Sequence, residues 1–442
     1  MPVTETPAAT SSSARVPQTR QAPAGGFDIL VLDAASRQSL ASVRSLGRAG
    51  LRVAMGESSA ECRPPLPVLS FASRYCARTV VLPNLITDVP AFGAAVVDFV
   101  RAHPTRVVLP TADGAIGAMM PWRDELAELG CVLALAPQSA LEIANDKDRT
   151  LEVARRLGIA YPRTKRIDSV DELPGLLAEF PYPFVLKPTS SWMRGSVDRL
   201  YPTEVVNEQE ATELTEKFVT AGAGVLAQQW ASGLREGVSM FVVNGEIRAA
   251  CAHAAYRTSP PLGGASVMRQ SIPIPKDIYA SSVALVQAIG LEGVCEVEYR
   301  RDADGRPLLM EINARLAGTI ENAVHSGVDF PMMIWRWATG QQVGRVEGYK
   351  TGVRTRWLHG DMRWLRDNYG RVGRPDSVSR SRALWIFGSE FFRTRHIDSV
   401  DRRDMKPAAA EFRVSLAAIR KQRGRQEPPA TETGREGAQR VS

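Results

Sequence analysis

Val294–Arg315 reads VCEVEYRRDADGRPLLMEINAR, and this stretch decides how the rest of the chain is read. Two runs of strand character flank Asp302-Ala303-Asp304-Gly305, whose Asp and Gly residues favour a tight turn. With Arg301 set opposite Arg306, Glu298 faces Leu309, and Glu311 lies diagonal to Glu298. Side chains alternate along a strand, so Glu298, Glu311 and Asn313 share one face. Two carboxylates and an amide oxygen on a sheet face suit a hard cation. Magnesium takes oxygen ligands and is usually held by one or two carboxylates together with substrate phosphates. Arg315 follows on the same side, where it would meet an oxyanion. An exposed hairpin with solvated glutamates is the plainer reading of the segment alone.

Further motifs precede this hairpin in a fixed order. Asn145-Asp146-Lys147 opens a helical stretch, and Leu157-Gly158-Ile159-Ala160-Tyr161-Pro162-Arg163-Thr164 follows it. Phe184-Val185-Leu186-Lys187-Pro188 is an apolar strand ending in a lysine. Gln228-Gln229-Trp230-Ala231 then precedes Gly233 and Glu236. In this order and spacing, residues 28–340 resemble the ATP-grasp superfamily, whose members carry a strand glutamate followed by E-x-N-x-R. The resemblance implies an α/β protein: an N-terminal Rossmann-like pre-ATP-grasp domain, then an α+β ATP-grasp fold.

It also implies roles for residues. Lys147 and Lys187 would neutralise phosphates, and a partly desolvated strand lysine suits that task. Gln228, Gln229, Trp230 and Ala231 would form the adenine hinge, and Glu236 would hold the ribose. Glu298, Glu311 and Asn313 would bind magnesium, with manganese as a substitute. The loop Ser190–Ser196 stands where the family has a glycine-rich phosphate lid. It departs from that pattern with one glycine, and Arg194 would replace backbone contacts by charge. Arg257 and Arg269, in a Gly/Pro-rich stretch from His253 to Arg269 read as a loop, would join Arg315 in binding the substrate or an acyl phosphate, because arginine forks match carboxylates and phosphoryl groups.

Composition narrows the class. The 442 residues exceed what one core commonly holds, and 44% hydrophobic residues is a globular composition. Five scattered cysteines with no CxxC pair point to reduced thiols in a cytoplasmic setting rather than a disulfide framework. No run of apolar residues is long enough for a membrane span. From Arg345 onward there are 22 Lys and Arg against 12 Asp and Glu, a balance of +10, whereas the remainder has 33 against 36, a balance of −3. That basic region carries no RNA- or DNA-binding motif, so a nucleic-acid partner is not expected.

The expected layout is a disordered tail over residues 1–26, the Rossmann-like domain over 27–135 and the ATP-grasp domain over 136–344. A basic, partly helical C-terminal appendage covers 345–421, its aromatics packed inward, and a disordered tail covers 422–442. Strand, helix and strand from Phe27 to Met55 form a βαβ unit without G-x-G-x-x-G, so no dinucleotide site is assigned. Asp113, past the end of a strand, is either a substrate contact or a helix N-cap. The activity implied by the resemblance is ATP-dependent, ADP-forming joining of a small-molecule carboxylate, an amino acid included, to an amine through an acyl phosphate. A homodimer is compatible with it. The alternatives are a bicarbonate-activating enzyme of the carboxylase or carbamoyl-phosphate type, and a non-catalytic ATP-binding regulatory protein.

Overall fold

The computed structural model describes residues 25–62, 67–189, 202–261, 264–375 and 377–426. Arg194 and its loop lie outside the described residues.

Near the N-terminus, β1 (Phe27–Val31), β2 (Val53–Ser58), β3 (Cys76–Leu82), β4 (Thr105–Leu109) and β5 (Val132–Leu133) form a parallel sheet in the order β3-β2-β1-β4-β5. The inner strands are apolar because helices cover both sides. Ile29, Leu30 and Val31 are fully buried, as are Leu40, Val43 and Leu46 of the Arg37–Arg48 helix, which starts where the Ser36 hydroxyl accepts from the Ser39 N–H. Strand order reverses between β1 and β4, and ligands of open α/β sheets sit past the carboxyl ends of strands at such a point. There Asp33, with φ of 57°, accepts from the N–H groups of Thr111 and Ala112, each at 2.8 Å.

A second sheet comprises β6 (Thr164–Ile167), β7 (Phe184–Pro188), β8 (Thr203–Val205) and β9 (Val225–Gln229), antiparallel in the order β6-β9-β7-β8. It has its own small core of Ile167, Phe184, Leu186, Phe218 and Val225. The third and largest sheet is β14-β13-β10-β11-β12-β15-β16. Its strands are β10 (Arg235–Val243), β11 (Glu246–Ser259), β12 (Ala265–Ile272), β13 (Gly293–Arg301), β14 (Pro307–Asn313), β15 (Arg354–Arg356) and β16 (His396–Ile397). One apolar cluster runs from Leu30, Phe92 and Val108 of the first layer to Val238, Val297 and Ile312 of this sheet.

Several expectations are corrected. The stretch His253–Arg269 is not a loop but most of a long hairpin, β11 and β12, registered from Ala252 opposite Ile272 to Ser259 opposite Ala265. Pro260, Pro261 and Gly264 sit at the tip, between Ser259 and Ala265, and pairing with β10 on the far side holds the alanine-rich strand. Gln138–Ala144 and Lys147–Arg156 are separate helices, because Asp146 caps the second through the Arg149 N–H. Gly327, with φ of 104°, ends the Ile320–Ser326 helix ahead of Phe330–Ala338. Residues 354–356 and 396–397 are woven into the large sheet as β15 and β16. Trp364 and Phe387 pack around Val267 and Ala383, but Trp385, Phe391 and Phe392 are exposed, contrary to the inward packing expected of the C-terminal aromatics.

Candidate active site

The hairpin that opens the sequence reading forms with a different register. Arg301 pairs with Pro307 rather than Arg306, because Asp302 closes the turn through its own carboxylate: Oδ1 accepts from the N–H groups of Asp304 and Arg306 at 3.0 and 2.8 Å. That one-residue slip alone would set Met310 opposite Glu298 and send Glu311 to the other face. A bulge between Tyr299–Leu309 and Glu298–Glu311 absorbs Met310 and restores the face. Glu298 therefore stands directly opposite Glu311, and Glu296 directly opposite Asn313. Asn313 Nδ2 donates to Glu311 Oε1 at 3.2 Å.

Sequence reasoning missed Glu296, although alternation in VCEVEY placed it on this face two residues before Glu298. Glu296 is buried and accepts from Ser239 Oγ at 2.9 Å and Thr319 Oγ1 at 2.7 Å, with His253 Nδ1 at 3.7 Å. Burial works against its charge, but His253 and these hydrogen bonds outweigh it and hold the carboxyl below its ordinary value. Glu298 is pushed up to about 8, first by burial and then by Glu311 and Glu296, against Arg235 at 3.3 Å. His253 fits only because residue 237 is glycine: a Cβ there would come 2.5 Å from the imidazole Cε1. Among the described residues no three His, Cys, Asp or Glu side chains form a metal cage by themselves. Crowded carboxylates without such a cage fit a cation that shares its coordination with phosphates.

A cleft is lined by Lys147, Thr164, Lys187, Gln228, Met310, Glu311 and Ile312 among others. The structure thus brings Lys147, Lys187, Gln228 and Glu311 together. Lys187 is buried at the end of β7, and its ammonium is lowered to about 7, first by burial, then by Lys147, with Glu311 opposing. Gln228 is buried and donates to Thr164 Oγ1 at 3.3 Å. Gln229, Trp230 and Ala231 follow it but do not line the cleft. The Gln229 N–H is spent on the Arg163 carbonyl, and the Ala231 carbonyl accepts from Arg300 Nη1.

Three assignments move. Glu236 pairs with Tyr299 one step from the Gly237–Glu298 pair, so it faces away from the carboxylate cluster, where it binds Arg301 Nε at 2.7 Å. Arg257 is buried and spends its fork on Asp361, with both bonds at 2.7 Å. Arg269 is fully buried and donates to both oxygens of Asp398 at 2.7 Å. Burial against these carboxylates leaves neither guanidinium accessible to a substrate, and the partners come from 104 and 129 residues further along the chain. Arg315 grips Asp113 at 2.6 and 3.1 Å, tying the end of β14 to the crevice past β4. Asp113 is not an N-cap: Ala112 holds that position and Asp113 is the first helical residue. At the same crevice Asp33 is pushed up to about 6 and Glu57 to about 8, both mainly by burial.

The chain is similar to several known proteins. A family profile described as "ATP-grasp in the biosynthetic pathway with Ter operon" matches residues 251–360. A probable alpha-L-glutamate ligase 1 of Pseudoalteromonas atlantica is 28% identical over 183 residues, 40% of this chain and 57% of that protein. A D-alanine–D-alanine ligase of Methylococcus capsulatus is 25% identical over 209 residues, 44% of this chain and 66% of that protein. Both matches therefore span less than two thirds of the relatives' lengths. Among solved structures, the L-amino acid ligase from Bacillus licheniformis superposes with a TM-score of 0.54 at 20% identity, covering 71% of this chain and 74% of the other. The biotin carboxylase from Campylobacter jejuni gives 0.58 at 14% identity, covering 75% of each chain. At such identities the two structures speak for the fold alone. The profile, the ordered motifs and the ligase relatives support a place in the ATP-grasp superfamily, and the two structures share its fold.

Proposed function

We propose that the chain is an ATP-dependent, ADP-forming carboxylate–amine ligase that makes an amide through an acyl phosphate. The observation that carries this reading is the opposition of Glu298 and Glu311, with Glu311 lining the same cleft as Lys147, Lys187 and Gln228. In this reading residues 27–135 are the Rossmann-like pre-ATP-grasp domain and 136–344 the ATP-grasp domain. Residues 345–421 are a C-terminal addition to it. Gln228 holds the adenine end of ATP, and Lys147 and Lys187 neutralise its phosphates.

Glu298, Glu311 and Asn313 hold magnesium, or manganese in its place; the bound ion supplies charge neutralisation and alignment of phosphate oxygens. Arg315, fixed by Asp113, stabilises the oxyanion that develops at the activated carboxyl. A carboxylate oxygen of the substrate bonds to the γ-phosphorus as its bond to the β–γ bridging oxygen breaks, and ADP leaves. The amine nitrogen then bonds to the carbonyl carbon, loses its proton to solvent, and inorganic phosphate leaves. Positioning and charge neutralisation suffice for these steps, so no protein nucleophile is required. The ligase relatives make small amino acids the first substrates to test.

The test is ADP release with magnesium and ATP against a panel of amino acids, singly and in pairs, with bicarbonate alone as a control arm. Release that needs both a carboxylate and an amine supports the ligase. Release on bicarbonate alone transfers the chain to the bicarbonate-activating class. Nucleotide binding without release under any condition leaves a non-catalytic ATP-binding protein.

A further inference from the structure

The helix Arg380–Arg393 turns outward a face that nothing among the described residues covers. Leu384 is 52% exposed, Trp385 63%, Phe391 53% and Phe392 94%. Trp385 and Phe392 are two helical turns apart and so fall on one stripe. The helix's one acidic residue, Glu390, is buried and accepts from Arg354 and Thr394. The outward charge is therefore all positive: Arg380, Arg382 and Arg393, with Arg395 just beyond, and no acidic side chain among the described residues pairs with any of them. The Arg393 guanidinium lies 5.7 Å from the Trp385 ring centroid, so one cation and one aromatic are already gathered at the same spot. A water-soluble monomer seldom leaves a large contiguous apolar patch bare without a use for it.

Charge decides what covers this face. A second copy packed on it by two-fold symmetry would set these arginines against their own copies. An anionic surface matches them. The face also has protruding aromatic tips, which suit the boundary between headgroups and acyl chains, while arginine stems lie along apolar surface with their heads at phosphates. No helix among the described residues is long and apolar enough to cross a membrane, so insertion would be shallow. We propose that the Arg380–Arg393 helix docks the protein on an anionic lipid bilayer: Trp385 and Phe392 enter the interface, and Arg380, Arg382, Arg393 and Arg395 face lipid phosphates. This surface is independent of the ligase reading.

The test is co-sedimentation of the full-length protein with vesicles of phosphatidylcholine, and with vesicles in which about a third is phosphatidylglycerol. Binding is expected on the anionic vesicles only, with release as salt rises toward about 0.5 M. The pair Arg382→Gln/Arg395→Gln should weaken partitioning roughly fivefold per arginine. The pair Trp385→Ser/Phe392→Ser should weaken it by at least as much, with thermal melting unchanged in both variants. Failure to sediment with anionic vesicles overturns the proposal, as does sedimentation that neither pair alters. Light scattering that shows a dimer which Trp385→Ser/Phe392→Ser splits would make the face a contact between copies and overturn it equally.

Discussion

Glu298 stands directly across from Glu311 on neighbouring strands, and Met310 is the bulged residue that makes this pairing. The same bulge lets Met310 line the cleft beside Glu311, so one backbone irregularity sets both the carboxylate pair and the cleft wall. Glu311→Gln keeps the size and the strand but removes one charged oxygen donor. It should abolish most magnesium-dependent ADP release, by roughly a hundredfold or more, while the melting temperature of the metal-free protein stays level or rises. Steady-state assays and a thermal melt check this together; near wild-type turnover by the folded variant would remove Glu311 from the metal site.

Glu298 gives a pH signature. Its folded-state carboxyl lies at about 8 against an ordinary 4.5, raised by burial first and then by Glu311 and Glu296. The folded, metal-free protein therefore keeps a proton that the unfolded chain sheds. The stability linked to this group is fully present below about pH 4.5 and is lost as pH rises through about 8. Magnesium bound at Glu298 would need the ionised carboxylate and would displace that proton. Metal-free melting temperatures should fall between about pH 5 and 8 more steeply in wild type than in Glu298→Gln, and magnesium with nucleotide should flatten the curve. Identical slopes in the two proteins would count against the assignment.

Lys187 predicts the opposite proton movement on nucleotide binding. Burial, with Lys147 nearby, lowers its ammonium to about 7, so much of it is neutral above that pH in the free protein. A bound polyphosphate would recharge it. Metal-free ADP should bind with proton uptake at about pH 8, and its affinity should fall as pH climbs from about 7 to about 9. Calorimetry in buffers of different ionisation enthalpy measures the uptake, and Lys187→Met should lose both the uptake and the pH dependence. ADP binding that is indifferent to pH in wild type would remove Lys187 from the phosphates.

What the sequence disclosed and what it hid follow from the range of the interactions. Alternation put Glu298, Glu311 and Asn313 on one face, and the same rule applied two residues earlier reveals Glu296. The bulge at Met310 was hidden because Asp302 sets the turn through side-chain hydrogen bonds that residue type alone does not specify. The family resemblance gave Glu236 the ribose, but the strand's period of two turns it away from the carboxylate cluster while Gly237 stands opposite Glu298. The β11–β12 hairpin was hidden by Pro260, Pro261 and Gly264 at its tip, which are local signals outweighed by pairing on both sides. Arg257 and Arg269 were read as free forks because Asp361 and Asp398 reach them from distant parts of the chain.

Arg257 should therefore behave as a structural residue, not a substrate-binding one. Asp361 is fully buried and accepts from Arg257 Nε and Nη2 at 2.7 Å each and from Arg356 Nε at 2.6 Å. One carboxylate thus serves two buried guanidinium groups, which also lie against Trp364 and Phe387. Removing that carboxylate strands both charges, and breaking a buried pair this way costs about 3–5 kcal/mol. Asp361→Leu should accordingly lower denaturant stability by that order. Arg257→Lys should cost less but still measurably, because a lysine ammonium cannot copy the two-bond fork. In neither case should the KM for carboxylate or amine change more than the KM for ATP in whatever fraction remains folded. A large rise in one substrate's KM in Arg257→Lys, with denaturant stability unchanged, would mean that Arg257 leaves Asp361 to meet the substrate.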